Sequence, residues 1–394
     1  MVSHCFTYID YRLTGVIVHD LPQIYTKPSV QSLLDTLALL SIEPRSWECT
    51  PSLTPGSITP RSASGTNTPA GLSRKKVRSN GIPQYLTHII SSPLAWIKDD
   101  EEKEKIWDTA SMRLCERSGR TGMGALTRTF RVPMVRGNAN ASHAISTVLA
   151  PTKDQDAVAD IEIHEPALTE DNLGLKTWAS SYVLARQWHE LRQELDILRG
   201  DRGTGMLQIL ELGAGTGLVG IAAAAVLGAN VLLTDLPEIV PNLAWNANSN
   251  AGTVLSNGGS VRTAVLDWSA PETVQMTVPR QESATAEGTA SSCSLSAPLI
   301  VTADPIYSPE HPALLAKAIK HHLSPREDAR VVVEMPIRDA YATERKDFTR
   351  CMQDIGLVLV REQKDIGYDD WSKSHGEDLS EVECWMTIWA WRNR

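Results

Sequence analysis

The sequence predicts an α/β protein: a doubly wound, mainly parallel seven-stranded sheet behind an N-terminal helical extension. Three observations predict it. Apolar runs of strand length at 207–212, 230–234, 262–266, 299–303 and 330–334 alternate with helical stretches at 218–227, 237–246, 312–323 and 343–355. Apolar strands separated by helices belong in a parallel sheet covered on both faces. The rhythm then breaks, because 356–362 and 382–391 read as two strands with only the turn-rich stretch 367–377 between them, a hairpin that closes the sheet with an antiparallel strand. Finally, 394 residues with 42% hydrophobic and 22% charged side chains suit one large domain with appendages, or two domains, and exclude a wholly disordered chain.

Ahead of the alternation, the segment 1–48 carries a helical stripe at Leu33, Leu34, Leu37 and Leu40. Between 49 and 80, Ser, Thr, Pro and Gly leave almost nothing apolar to bury, which predicts a disordered linker. Its basic end, Arg74-Lys75-Lys76-Val77-Arg78, fits a nuclear localisation signal or, more simply, a solvated tail. A helical extension is expected over 81–126, and the sheet domain over 127–394. That domain should open with a β-hairpin at 127–165, where Ile161 and Ile163 alternate with Asp160, Glu162 and His164. One amphipathic helix should follow from Trp178, with Leu184, Trp188, Leu191, Leu195 and Leu198 on one stripe and Gly200 as its stop. The Ser/Thr/Ala-rich stretch 276–297 is expected as a surface insertion.

Charge and cysteine usage narrow the function. Acidic side chains outnumber basic ones, 47 to 38, for a net charge of -9, so no direct nucleic-acid partner is expected. Cys5, Cys49, Cys115, Cys293, Cys351 and Cys384 are scattered without a CxxC pair or a Cys/His cluster. That predicts neither disulfide framework nor metal site, and a reducing compartment. No apolar run reaches the roughly eighteen residues of a membrane span. His4, Asp10, Tyr11 and Arg12 occupy the region where a signal peptide needs an apolar core. A cytoplasmic monomer is expected.

The strongest motif is Glu211-Leu-Gly213-Ala214-Gly215-Thr-Gly217, set between a strand and a helix rich in small residues. Gly213, Gly215 and Gly217 permit a tight turn and close approach of a ligand, and the helix N-terminus adds free N–H groups. Asp235 ends the next strand, where a carboxylate can accept both hydroxyls of a ribose. Gly215-x-Gly217-x-x-Gly220 with Asp235 also satisfies a dinucleotide pattern. The placement of Gly213 directly after the strand favours the nucleoside of S-adenosyl-L-methionine instead. Asp267 and Trp268 close the third strand, where an adenine would lie, as acceptor for its amine and cover for its ring. Ala303, Asp304, Pro305, Ile306 and Tyr307 follow at the carboxyl end of the fourth strand, beside the switch point where ligands bind.

With these motifs and Gly174-Leu-Lys-Thr-Trp178 and the Asn242…Asn246 pair, residues 127–394 resemble the class I, Rossmann-like methyltransferases of the lysine-directed group called methyltransferase family 16. Asp-x-x-Tyr after the fourth strand is that family's distinguishing motif, and the family places a tryptophan like Trp178 against the cofactor. The resemblance implies a protein-lysine N-methyltransferase. S-adenosyl-L-methionine would be bound by Trp178, Glu211, Gly213, Ala214, Gly215, Gly217, Asp235, Asp267, Trp268 and Ala303. Asp304 would hold the lysine amine and Tyr307 would form an aromatic wall. The helical extension and long Ser/Pro linker are similar to fungal members that act on translation elongation factors, so a protein substrate of that kind is implied. Two alternatives remain: an N-methyltransferase for amides or nucleobase amines, whose signature has a second proline where Ile306 stands, and a non-catalytic module that binds a partner.

Overall fold

In the computed structural model, residues 18–41, 77, 81–117, 124–134, 158–167, 173–198, 208–277, 291–292, 294–369 and 380–392 are described. Most of the expected linker, 49–76 and 78–80, lies outside them, as does 278–290 of the expected insertion. The described residues fall into two compact units that divide at Gly124 and Ala125.

The first unit is helical: α1 (Val30–Leu39), α2 (Ile82–Ser91) and α3 (Asp100–Cys115). Each start has a local cause. Ser29 accepts the N–H of Ser32, Gly81 with Ile82-Pro83 opens α2, and Asp99 accepts the N–H of Glu101 ahead of three acidic residues. Leu33, Leu37, Leu86, Ile89, Leu94 and Ile106 form its buried core. Side chains also reach across to backbone: the Trp96 indole donates to the Pro28 carbonyl and Arg113 Nε to that of Leu37.

The second unit opens with β1 (Leu126–Pro133) and β2 (Val158–Glu165), paired antiparallel as a separate two-stranded sheet. Next come α4 (Ala179–Arg186) and α5 (Trp188–Glu194) in place of the single helix expected from the leucine stripe. The chain breaks at Gln187, whose N–H bonds the carbonyl of Leu184, a tighter turn than an α-helix allows. Trp188 starts the second piece, fully buried, with its indole donating to Val219. A stripe alone does not reveal such a break.

The alternation then proceeds as β3 (Ile209–Leu212), α6 (Leu218–Leu227), β4 (Asn230–Asp235), α7 (Val240–Ser249), α8 (Ala251–Ser256) and β5 (Ser260–Val265). It continues with β6 (Thr273–Met276), β7 (Ser291–Ser292), β8 (Leu299–Ala303), α9 (His311–His322), β9 (Arg330–Pro336), α10 (Ala342–Asp354), β10 (Leu357–Asp369) and β11 (Ser380–Trp391). Among the described residues these strands form one nine-stranded sheet in the order β10-β11-β9-β8-β3-β4-β5-β6-β7. Strands β9, β8, β3, β4 and β5 run parallel, and β11 lies antiparallel between β9 and β10. Seven strands were expected; the extra two are the short β6 and β7, which extend the edge beyond β5 at the margins of the expected insertion.

Alternate side chains of each strand feed two cores. Ile209, Val231, Leu233, Val301 and Val332 face α4, α5 and α6 on one side. Leu210, Leu232, Ile300, Val331 and Val333 face Leu315 and Ile319 of α9 and Phe348 and Met352 of α10 on the other. Strand β10 is longer than its sequence suggests. Gly367, expected to begin a turn, lies within the strand, because a Cβ there would come within 3.0 Å of both Ala179 Cβ and Val183 Cγ2. The glycine serves close packing against α4, and the strand runs on to Asp369. The order of strands reverses at β3, which has β4 on one side and β8 on the other, and opens a crevice at their carboxyl ends.

Candidate active site

The crevice is lined by the turn after β3. Gly213 and Gly215 both have left-handed backbones, with φ of 65° and 56°. Each also lacks room for a side chain: a Cβ on Gly213 would fall 2.9 Å from Trp268 Cζ2, and one on Gly215 would fall 2.9 Å from the carbonyl oxygen of Gly174. Trp268 therefore lies against the loop, and the segment 174–178 lies against it from the other side. A bond of 2.9 Å between the hydroxyls of Thr177 and Thr216 fastens that segment. Ala214 is buried, and its N–H bonds the carbonyl of Thr234 at 3.0 Å.

Asp235 ends β4 with one carboxylate oxygen accepting the N–H of Gly215 and the other that of Leu236, each at 2.7 Å. Burial lifts its pKa to about 6, against the pull of those two N–H groups. A carboxylate has roughly four acceptor positions, so two stay available for hydroxyl donors. Asp267 is exposed just beyond β5 and accepts the N–H of Ser269.

Two residues expected to contact a ligand also make protein contacts behind the loop. Glu211 is buried and its carboxylate accepts the N–H of Gly220 at 2.8 Å. Burial lifts its pKa to about 8, with the Gly220 bond opposing and the charge of Asp235 adding to the rise. Gly217 starts α6, where a Cβ would strike Leu243, Ile221 and Leu233, so it serves helix packing. Both hold the loop's shape.

Across the crevice, Ala303 ends β8 and Asp304 follows with φ of 53°, left-handed in a residue other than glycine and directly before a proline. Its N–H bonds the carbonyl of Glu334 at 2.8 Å. Its carboxylate faces Arg338 at 4.0 Å. Burial raises the Asp304 pKa to about 6, with Arg338 pulling down, Asp369 pushing up and Lys176 pulling down. Tyr307 is 51% exposed, and its ring stands perpendicular to that of His311 at 4.2 Å. Burial, then the charges of Asp235, Asp304 and Glu238, raises its phenol pKa.

Lys176, Arg338 and Asp369 complete this side and escaped the sequence reading. Asp369, at the end of β10, accepts from Lys176 and from Arg338, each at 3.1 Å. Both cations also lie over the Trp178 ring, at 4.7 Å and 5.2 Å from its centre. Trp178 thus belongs to the same cluster as Asp304. Lys176 stands inside the Gly174–Trp178 motif, where its spacing to Trp178 is a signal; Asp369 has none, because Gly367 two residues before it looks like a turn.

The arrangement fits a nucleoside-bearing sulfonium donor: acceptors to spare at Asp235 and a ring at Trp268 set against the glycine turn. Among the described residues no cluster of metal-binding side chains occurs, and no helix is long and apolar enough to cross a membrane.

A model of the lysine methyltransferase family matches residues 156–354. Protein-lysine N-methyltransferase rrg1 of Schizosaccharomyces pombe is 28% identical over 318 residues, 79% of this chain and 85% of that protein. Protein-lysine N-methyltransferase EFM2 of Saccharomyces cerevisiae is 30% identical over 287 residues, 69% of this chain and 58% of that protein. EEF1A lysine methyltransferase 3 of Mus musculus is 34% identical over 109 residues, 27% of this chain and 41% of that protein.

Proposed function

The chain belongs to the lysine methyltransferase family and draws its methyl group from S-adenosyl-L-methionine; from that premise we propose that it methylates a lysine of a translation elongation factor. The mouse relative, EEF1A lysine methyltransferase 3, supports that class of acceptor by its name. The observation that carries the reading is the seating of Asp304 and Tyr307 at the carboxyl end of β8, beside the glycine loop, with Asp304 facing the charge cluster of Arg338, Asp369 and Lys176. We place the activity in the cytoplasm, in a monomer.

S-adenosyl-L-methionine supplies, when bound, a methyl group on a positively charged sulfur. Gly213, Ala214 and Gly215 would let it approach the backbone, Asp235 would accept from its ribose, and Asp267 and Trp268 would border its base. A lysine amine has a pKa of about 10.4 in water and must be neutral to attack. Asp304 would accept hydrogen bonds from that amine and fix its direction, while Tyr307 walls the approach. Asp304 is too acidic to act as an efficient base at neutral pH. Deprotonation is helped instead by Lys176 and Arg338, whose charges beside Asp304 and Asp369 offset part of the negative field that would hold an incoming ammonium in its protonated form.

The test is to incubate the protein and labelled donor with purified elongation factor 1A from cells that lack the enzyme, then map modified lysines by mass spectrometry. Labelling of one lysine is expected. An unlabelled elongation factor, with label on other proteins when the whole lysate of the same cells is used instead, would remove the elongation factor and keep the family activity.

A further inference from the structure

Asp304 has two reasons to relax: a left-handed backbone with φ of 53°, and a proline behind it that favours extended geometry. Something must hold the turn from 304 to 307. One restraint is the bond from the Asp304 N–H to the carbonyl of Glu334. The other comes from His311, in the first turn of α9. Its Nδ1 lies 3.1 Å from the carbonyl oxygen of Pro305, to which a protonated Nδ1 donates, and 3.4 Å from the Tyr307 N–H, which can donate to Nδ1 only in the opposite tautomer; the shorter contact favours the proton on Nδ1. Its ring meets Tyr307 edge-on at 4.2 Å and Trp268 edge-on at 5.8 Å. One imidazole therefore touches the strained turn on the acceptor side and the aromatic wall on the base side.

We propose that His311 is a positioning residue: by donating from Nδ1 to the Pro305 carbonyl, it holds the Asp304–Tyr307 turn and sets that turn and Trp268 together. Burial keeps the ring neutral at physiological pH, which leaves one nitrogen to donate and one to accept. This rests on the methyltransferase reading for its consequence but not for its test, which needs no acceptor protein.

Three full-length variants separate a donor from a space-filler. His311→Asn keeps an amide near the position of Nδ1, His311→Leu keeps bulk alone, and His311→Ala keeps neither. Amide hydrogen exchange at Asp304 reads the turn, and calorimetry with S-adenosylhomocysteine reads the base side. His311→Leu and His311→Ala should each speed exchange at Asp304 at least about tenfold and weaken S-adenosylhomocysteine by a similar factor, while His311→Asn stays within about threefold of wild type on both. Should the alanine variant fail to fold, the Asn and Leu pair decides. Any outcome in which Asn protects Asp304 no better than Leu overturns the hydrogen bond as the cause. Unchanged S-adenosylhomocysteine affinity in His311→Leu overturns the link to Trp268. In the wild type, nitrogen NMR should find the proton on Nδ1, and a proton on Nε2 would also overturn the assignment.

Discussion

A carboxylate placed as Asp304 is placed works against the stability of the fold that holds it. An acid whose folded pKa stands above its unfolded value of about 3.9 is most stabilising while protonated. That contribution is whole below the unfolded value and is lost as pH rises through about 6. Asp304→Asn removes the charge and tolerates the left-handed backbone better. The variant should therefore melt above the wild type near pH 7 (about one unit past the folded value), and the gap should close as pH falls through about 6 toward about 4. Thermal scans across that range check it, and comparison within the pair cancels the other raised acids, Glu211 and Asp235. The same variant should lose at least about tenfold in methyl transfer, about 1.4 kcal/mol, with S-adenosylhomocysteine affinity little changed. Arg338 gives a second expectation. Arg338→Met leaves two carboxylates against one cation, so the acid limb of the kcat profile should move to higher pH by about one unit, while Arg338→Lys keeps it in place. A uniform loss at every pH would mean that Arg338 only supports structure.

At the scale of elements, a row of asparagines on one face of α7 and at its C-cap does the work of a missing strand. Asn250 exchanges two bonds with the backbone of Glu162, and Asn246 two with that of His164. Asn242 adds a third to His164, and Asn246 also donates to the carbonyl of Thr216 in the glycine loop. From the end of β2, Glu165 then accepts the N–H of Thr177, so the hairpin is tied to the segment that carries Trp178. Asn246→Ala would strand several buried groups at once and should cost about 3 kcal/mol, read as a lower denaturation midpoint with an unchanged slope. The sequence displayed Asn242 and Asn246 as a pair but not their partners, since side-chain pairing with a strand leaves no periodic trace. What it displayed well was anything with a period or a glycine demand: the five parallel strands, α6, and the loop at Gly213 and Gly215. It displayed poorly whatever depends on remote packing. The break at Gln187 hides inside an unbroken stripe. Gly367 looks the same whether it turns a chain or lets a helix approach. Glu211 sits in a ligand motif yet supports the loop from beneath.

For the molecule as a whole, every residue of the candidate site lies in the second unit, and the first has its own apolar core. A chain of residues 125–394 should accordingly bind S-adenosylhomocysteine as tightly as the full protein, within about threefold by calorimetry. A larger loss would give the helical unit a part in the site. The sheet order carries one more consequence, for synthesis. Among the described strands β11 is made after β9 and β10, yet it lies between them. Until it is inserted, β10 has no neighbour in the sheet, and Asp369 cannot bring its charge to Lys176, a residue 193 positions earlier. A nascent chain on the ribosome, even one with its glycine loop folded, thus lacks a member of the acceptor-side cluster until β11 clears the exit tunnel.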